Sequence, residues 1–446
     1  MATARFTKPC FNILGPDGHK DASTPEDSSG TKPALSRSAH HLFRASGEHR
    51  LTGSRVLVVA PEPFYEDRGT PIAVCQLLKA LSQLSYEVDL LTYPMGRDVE
   101  IPGVRCLRTA NPLGIRRVPI GFSLRKVMFD VLLLPELARR LATRQYACVH
   151  AVEEAAFLAV LLGRHFDVPV IYDMQSSLPE QLAKHRAFRL PFMRAALLRC
   201  ERWLLRRADS VVSSSGLARL VREQVPKARL REWEYSSPLP LAGPAEAEAL
   251  RADLGIGPAR PVVLYSGTFE SHQGLPELMA AIPHVLAEVP EATFVLVGAT
   301  EPSGGSGTAV ERGHVALVRA GSLRVVKRQP RERIPAYLAM ADVVVSPRAY
   351  GDNLPLKVFD YMAAGKPIVA TDIPAHRSVL SEERALLTGT WSPDLARGIV
   401  RLLRDRDLAT RLGAAAQAHS KERFGWFSFV RSVSELYREV DGARAA

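Results

Sequence analysis

A single unit between residues 343 and 371 restricts the architecture most. Three consecutive valines, Val343-Val344-Val345, make the β-branched run of a buried strand. Gly351 to Pro355 is rich in turn formers, and Leu356, Phe359 and Ala363 then recur at helical spacing. Gly365 suits the position just past a helix, Pro367 blocks continuation, and Ile368-Val369-Ala370-Thr371 reads as another strand. Strand, loop, helix and strand make a βαβ unit, which holds ligands where the loop meets the helix N-terminus. Lys357 stands in the first helical turn, where the macrodipole disfavours a cation. Asp352 lies just before the helix and Asp360 one turn further in. Two readings follow. Lys357 and the free backbone N–H groups hold an anion, or Lys357 pairs with Asp360 at i,i+3 on a solvated face.

The same alternation recurs along the chain. Arg55-Val56-Leu57-Val58-Val59-Ala60 is a compact buried strand, followed by Gly69-Thr70-Pro71 and a helix with Val74, Leu77, Leu78 and Leu81 on one face. Thr70 is a good N-cap, and Gly69 lets a ligand approach that helix end. Strands follow near Val88–Tyr93, at Cys148-Val149-His150, at Val168–Asp173 and at Ser210–Ser213. His150 and Asp173 fall at the carboxyl edge of their strands, the functional edge of an α/β sheet. Ser236 to Pro244 reads as an interdomain linker. A second α/β unit opens at Pro261–Phe269, runs into Gly267-Thr268, and continues through a helix from Leu275 to Leu286, strands at Thr293–Gly298 and Val325-Val326, and the unit described first. The organisation expected is therefore a chain extension over 1–53, an N-terminal domain over 54–240, a C-terminal domain over 241–422 and a terminal helix over 423–446. Residues 1–53 read as a disordered extension or a start placed too early, without the apolar core of a signal peptide.

With 446 residues, 46% hydrophobic and 24% charged, the chain has the composition of a soluble globular protein with two or three cores. Cys10, Cys75, Cys106, Cys148 and Cys200 are far apart and lack paired metal-ligand spacing, which suggests a reduced, cytoplasmic protein without structural zinc. No apolar run approaches the roughly 18–20 residues that span a bilayer. The net charge of +11 favours an anionic partner, and no nucleic-acid recognition module is present. Arginines concentrate over residues 97–126 (Arg97, Arg105, Arg108, Arg116, Arg117, Arg125) among Ile115, Val118 and Ile120. That segment is either a solvated loop or a surface for anionic lipid or a phosphorylated acceptor.

From about Arg55 to Tyr437 the chain resembles the family 4 (group 1) retaining glycosyltransferases of the GT-B fold. The resemblance rests on Gly69-Thr70, on Ser266-Gly267-Thr268, and on Asp352 and Asp360 eight positions apart, followed by Met362-Ala363, Gly365 and Pro367–Ala370. It implies two Rossmann-like, doubly wound parallel-sheet domains facing a cleft, and transfer of a hexose-type sugar from a nucleoside-diphosphate sugar to a hydroxyl acceptor, lipid or saccharide. No metal or other cofactor is implied. Asp352 would contact the donor sugar and Asp360 the ribose. Asn353, Leu354 and Lys357 would lie near sugar and diphosphate, with Gly267 and Thr268 approaching the phosphates from one domain and Gly69 and Thr70 from the other. Asp352, Lys357 and His150 are the catalytic candidates, and Asp173 belongs to the acceptor side. The resemblance also implies that Phe424–Tyr437 crosses back to the N-terminal domain.

Departures from the family pattern matter. Thr268 or Phe269, and Gln273, stand where a basic pair is usual, so Lys357, Lys327 and Arg328 are the substitutes for phosphate charge. Val152 replaces the second His of a frequent His-x-His pair, and Gln175 stands where close relatives often have His. The alternative these raise is a GT-B protein that binds nucleotide sugars without turnover. A Rossmann dehydrogenase is disfavoured by the absence of Gly-x-Gly-x-x-Gly after the first strand of either domain. UDP and GDP donors both stay open. The expected location is the cytoplasm, with contact at the inner face of the membrane through residues 97–126.

Overall fold

The computed structural model describes residues 54–67, 69–119, 123–182, 190–233, 236–237, 239–269, 271–299, 310, 313–350 and 355–445. Two parallel sheets organise them. The first joins β1 (Arg55–Ala60), β2 (Glu87–Thr92), β3 (Val104–Arg108), β4 (Cys148–Val152), β5 (Val170–Met174), β6 (Ser210–Ser213) and β7 (Leu230–Glu232), in the order β3-β2-β1-β4-β5-β6-β7. The second joins β8 (Val262–Ser266), β9 (Thr293–Ala299), β10 (Leu323–Lys327), β11 (Val343–Ser346), β12 (Ile368–Thr371) and β13 (Leu386–Thr388), in the order β10-β9-β8-β11-β12-β13. Each order reverses direction beside its first strand, which opens a crevice at the carboxyl edge. The architecture is two Rossmann-like domains, as the βα alternation and the resemblance imply.

Period-two alternation sends successive strand residues into different cores. Val56 and Val58 join a buried cluster with Leu77 and Leu81 of helix α1 (Gly69–Gln83), while Leu57 and Val59 join another with Phe129 and Leu133 of α2 (Leu124–Thr143) and Ala159 of α3 (Ala155–Phe166). Both faces of the sheet are covered at its centre, so a central strand such as β1 reads as a continuous apolar run. In the second domain Val263 and Tyr265 pack with α4 (Leu275–Glu288), and Leu264 packs with Val358 and Tyr361 of α5 (Lys357–Ala363). The last helix, α6 (Trp426–Ala445), lays Phe429, Val430, Val433 and Tyr437 into the cluster that holds Val56 and Leu77 of the first domain. Its Trp426 indole donates to Gln83 Oε1 at 2.8 Å.

Residues 97–126 are not one loop. Val104–Arg108 form edge strand β3, in register with β2 from Val88↔Val104 to Thr92↔Arg108, and α2 begins at Leu124. Arg108 turns inward, its guanidinium donating to the Phe64 and Met95 carbonyls at 2.9 and 2.8 Å. Among the described residues no helix is long and apolar enough to cross a membrane.

Candidate functional site

The carboxyl edges of the two sheets enclose a cavity of about 290 Å³. From the first domain it is lined by Gly69 and Thr70 at the start of α1, by Asp173 and Gln175 at the end of β5, and by Trp233. From the second come Gly267, Thr268, Gly298, Arg328, Arg331, Arg348, Lys357 and Asp360. Residues singled out in the sequence thus meet in one place: Gly69, Thr70, Asp173 and Gln175 from the first domain, and Gly267, Thr268, Gln273, Arg328, Lys357 and Asp360 from the second. Asp352, Asn353 and Leu354 lie outside the described residues.

Glycines let the second-domain backbones close in. Gly298 has φ +125°, and a Cβ there would stand 2.0 Å from the Gly267 carbonyl oxygen. A Cβ on Gly267 (φ +149°) would fall 3.3 Å from the Lys357 ammonium. The bare edge therefore leaves room for that ammonium and for a ligand oxygen beside it.

Lys357 opens α5, is buried, and holds its Nζ 4.0 Å from the centre of the Tyr265 ring and 3.1 Å from Gln273 Oε1. Burial, with Arg348 nearby, pushes its pKa well below the usual lysine range. The alternative pairing with Asp360 does not form. Asp360 Oδ1 instead accepts from Ser237 Oγ at 2.6 Å and from Arg331 Nη2 at 2.9 Å. Burial raises the Asp360 carboxyl above its ordinary value against the pull of those two partners. Gln273, standing where a basic residue is usual, is the group that accepts from Lys357.

The cations that gather here are only partly those expected. Arg328 lines the cavity and donates to the Asp67 carbonyl of the first domain, while Lys327 is not among the lining residues. Arg331 and Arg348 were not anticipated. Arg348 lies two residues past β11, inside the stretch read first, and Arg331 sits in the basic run Lys327–Arg333. Their positions at the sheet edge were the available signal. Beneath this edge His376 is fully buried, bonded to Ser346 Oγ at 2.9 Å and to the Thr371 carbonyl at 2.7 Å. Burial lowers its pKa to about 4, so it braces β11 and β12 as a neutral ring.

His150 does not reach the cavity. It is fully buried behind the wall, between Asp173 and α6. Its Nε2 lies 3.4 Å from Asp173 Oδ2, and its Nδ1 lies 3.0 Å from the Tyr437 hydroxyl. Its ring stacks on cavity-lining Trp233 at 6.0 Å. Burial raises the Tyr437 pKa, so that hydroxyl keeps its proton. A hydroxyl donating to Nδ1 leaves Nε2–H to donate to Asp173. Gln175 donates to the other carboxylate oxygen of Asp173 at 2.7 Å. The imidazole expected to be catalytic therefore touches Asp173, which lines the cavity, and does not line the cavity itself.

The chain matches family models at both sheets: a glycosyl transferase 4-like domain over residues 68–232 and glycosyl transferases group 1 over residues 246–419. It is 29% identical to the D-inositol 3-phosphate glycosyltransferase of Nocardia farcinica over 45% of this chain, spanning about half (46%) of that relative's length. It is 24% identical to the phosphatidyl-myo-inositol mannosyltransferase of Mycolicibacterium smegmatis over 87% of this chain and 95% of the relative. The fold is also similar to Anabaena HepE solved in complex with UDP-glucose, with TM-score 0.67 and 17% identity, covering 86% of this chain and 99% of that one. Two Rossmann-like domains, matched family models over both, and these relatives lead to one conclusion: the chain belongs to the group 1 (family 4) glycosyltransferases of the GT-B fold.

Proposed function

We propose that this protein moves a hexose-type sugar from a nucleoside-diphosphate sugar to a hydroxyl acceptor, with retention at the transferred carbon. One observation carries the reading. Lys357, Arg328, Arg331 and Arg348 converge on the glycine edge of β8 and β9, facing the N-terminus of α1 across the cavity. Such an arrangement suits a diphosphate whose charge grows as it leaves. Lys357 is the member most responsive to the ligand, because its ammonium is buried without an ion-paired carboxylate among the described residues. Asp360 would meet the ribose through the oxygen that Arg331 and Ser237 leave open. Asp352 would contact the sugar hydroxyls, with the amides of Asn353 and Leu354 beside it. Gly267 and Thr268 would approach the phosphates from one side, and Gly69 and Thr70 from the other. Asp173 would meet the acceptor, held in place by His150. Transfer would proceed on the front face, the departing phosphate oxygen taking the acceptor's proton and the cationic side chains stabilising the diphosphate without a metal. The complex of Anabaena HepE with UDP-glucose supports a nucleotide-sugar donor, and the relatives' names support sugar transfer. We place the enzyme in the cytoplasm, at the inner face of the membrane, with an acceptor that is lipid-linked or a saccharide.

The test is a thermal-shift screen of UDP, GDP and their sugar conjugates, followed by transfer assays with Asp352→Ala and Lys357→Ala. A bound donor raises the melting temperature by mass action, and both variants are expected to lose transfer while staying folded. Wild-type rates in both would refute the assignment. The burial of His150 and the valine at 152 favour one alternative, binding without turnover. Donor stabilisation with neither transfer nor hydrolysis across a broad acceptor panel would select it.

A further inference from the structure

Helix α2 carries two apolar faces where a half-buried helix requires one. Phe129, Leu133, Leu137 and Leu141 recur every four residues and are buried against α3 and the first sheet. Leu124, Val127, Val131 and Leu134 recur in steps of three and four, with 82%, 40%, 62% and 39% of their surface exposed. At roughly 100° per residue this second set occupies about a quarter of the helix circumference, away from the core. A water-facing side is ordinarily polar, and a contiguous exposed apolar run marks a contact surface.

The chain ahead of the helix extends that surface. Asn111 closes a tight turn, its side chain accepting from the Ile115 amide and donating to the Ile115 carbonyl, each at 2.9 Å. Leu113 stands in this turn, 70% exposed. Arg125 ties the segment to the first helical turn by donating to the Arg117 carbonyl at 3.4 Å. Arg116, Arg117 and Arg125 are exposed, and none forms an ion pair among the described residues. The carboxylates of α2 are already engaged: Asp130 with the Tyr93 hydroxyl, and Glu136 with Arg139 and Arg140. The face therefore combines apolar side chains with unneutralised positive charge.

Charge decides the occupant. A second copy on this face would bring two sets of these arginines, none of them in an ion pair among the described residues, into one interface without a carboxylate of α2 to neutralise them. Anionic lipid head groups neutralise them while the leucines and valines reach the acyl boundary. The face also adjoins the cleft. Lys126 pairs with Glu154 just past β4, and the neighbouring Glu153 accepts from Ser176, next to cavity-lining Gln175. We propose that the Leu113 turn and the outer side of α2 dock the protein on an anionic membrane surface, so that an amphiphilic acceptor presents its hydroxyl to the cavity from the lipid. The acceptor half of this proposal rests on the transfer reading; the docking half does not.

The experiment is co-sedimentation of the full chain with vesicles of phosphatidylcholine alone and of equimolar phosphatidylcholine and phosphatidylglycerol. The wild type is expected in the mixed-vesicle pellet, and less of it there as salt rises. Arg116→Ser with Arg117→Ser should lower the partition coefficient roughly 30-fold at low salt. Leu124→Ser with Val131→Ser should lower it roughly tenfold at low and high salt alike. A wild type absent from the mixed-vesicle pellet overturns the docking, as do double variants that partition like the wild type. A dimer in ultracentrifugation that Val131→Ser dissociates, without vesicle binding, makes the occupant a second copy and also overturns it. UDP titration of the same preparations shows that the variants fold and reports the donor site separately. UDP binding without vesicle binding sinks the docking alone, and vesicle binding without nucleotide binding sinks the donor reading alone.

Discussion

Replacing Lys357 with methionine should stabilise the ligand-free protein and weaken its hold on nucleotide. The ammonium is buried over the Tyr265 ring, bonded to Gln273 Oε1 and close to Arg348, without an ion-paired carboxylate among the described residues. Taking such a charge out of water costs several kcal/mol. Its compensations are one hydrogen bond, about 1 kcal/mol, and one ring contact, about 0.5–1 kcal/mol. Methionine has a similar length and carries no charge, so Lys357→Met should gain about 1–3 kcal/mol near neutral pH. The sign with pH follows from proton counting. A free lysine titrates near 10.4, and the folded one titrates lower, so between the two values the unfolded chain holds more protons. Wild-type stability therefore rises with pH across that window, and the variant's advantage shrinks as pH nears about 10. A diphosphate restores the charged form, so losing a charge-assisted bond of about 1.5–3 kcal/mol should weaken UDP binding roughly 10- to 150-fold. Wild-type UDP affinity should also fall as pH rises through the same window. Urea unfolding at neutral and alkaline pH, paired with UDP calorimetry, measures both effects. A variant that is less stable at neutral pH, or that binds UDP as tightly as the wild type, would refute the reasoning.

Two further outcomes follow. Tyr437→Phe removes the hydroxyl 3.0 Å from His150 Nδ1 and leaves a buried nitrogen unpaired, which should cost about 1–3 kcal/mol in urea unfolding. Because the relay ends at Asp173, transfer should drop while UDP affinity holds; an equal loss in both would contradict the assignment. Asp130 is raised to about 7, first by burial and then by Glu154, against the opposing pull of Tyr93 and Lys126. The native state then binds more protons than the unfolded chain between about pH 4 and pH 7, so wild-type stability falls as pH rises across that interval. Asp130→Asn should be more stable than wild type at about pH 8, by at most roughly 3–4 kcal/mol, and lose that advantage below about pH 5. Urea midpoints at the two pH values check the sign.

Several strands were legible as β-branched runs because each is covered on both faces. Val56–Ala60, Val262–Ser266 and Val343–Ser346 are buried along their whole length. Strand β3 was not. Arg105 and Cys106 are exposed at the sheet's edge, so Val-Arg-Cys-Leu-Arg carries no apolar run and was read as part of a basic segment. β7 and β13, three residues each, are too short to show a period.

Local chemistry put Gly69, Thr70, Gly267, Thr268, Lys357 and Asp360 at the starts of helices or the ends of strands, and all six line the cavity, because βα turns present their residues at the carboxyl edge of a sheet. Sequence alone thus determined the two-sheet architecture and which loops face the cleft, since strand and helix periodicity and turn residues act over a few neighbours. Only the tertiary structure decided how those residues are wired. It sent Asp360 to Arg331 and Ser237 rather than to Lys357, brought Arg348 and Arg331 to the cavity, and set Tyr437 on His150 across 287 residues of chain. Partnerships of that kind depend on how helices and sheets settle against one another in close packing, and no spacing in the sequence encodes them.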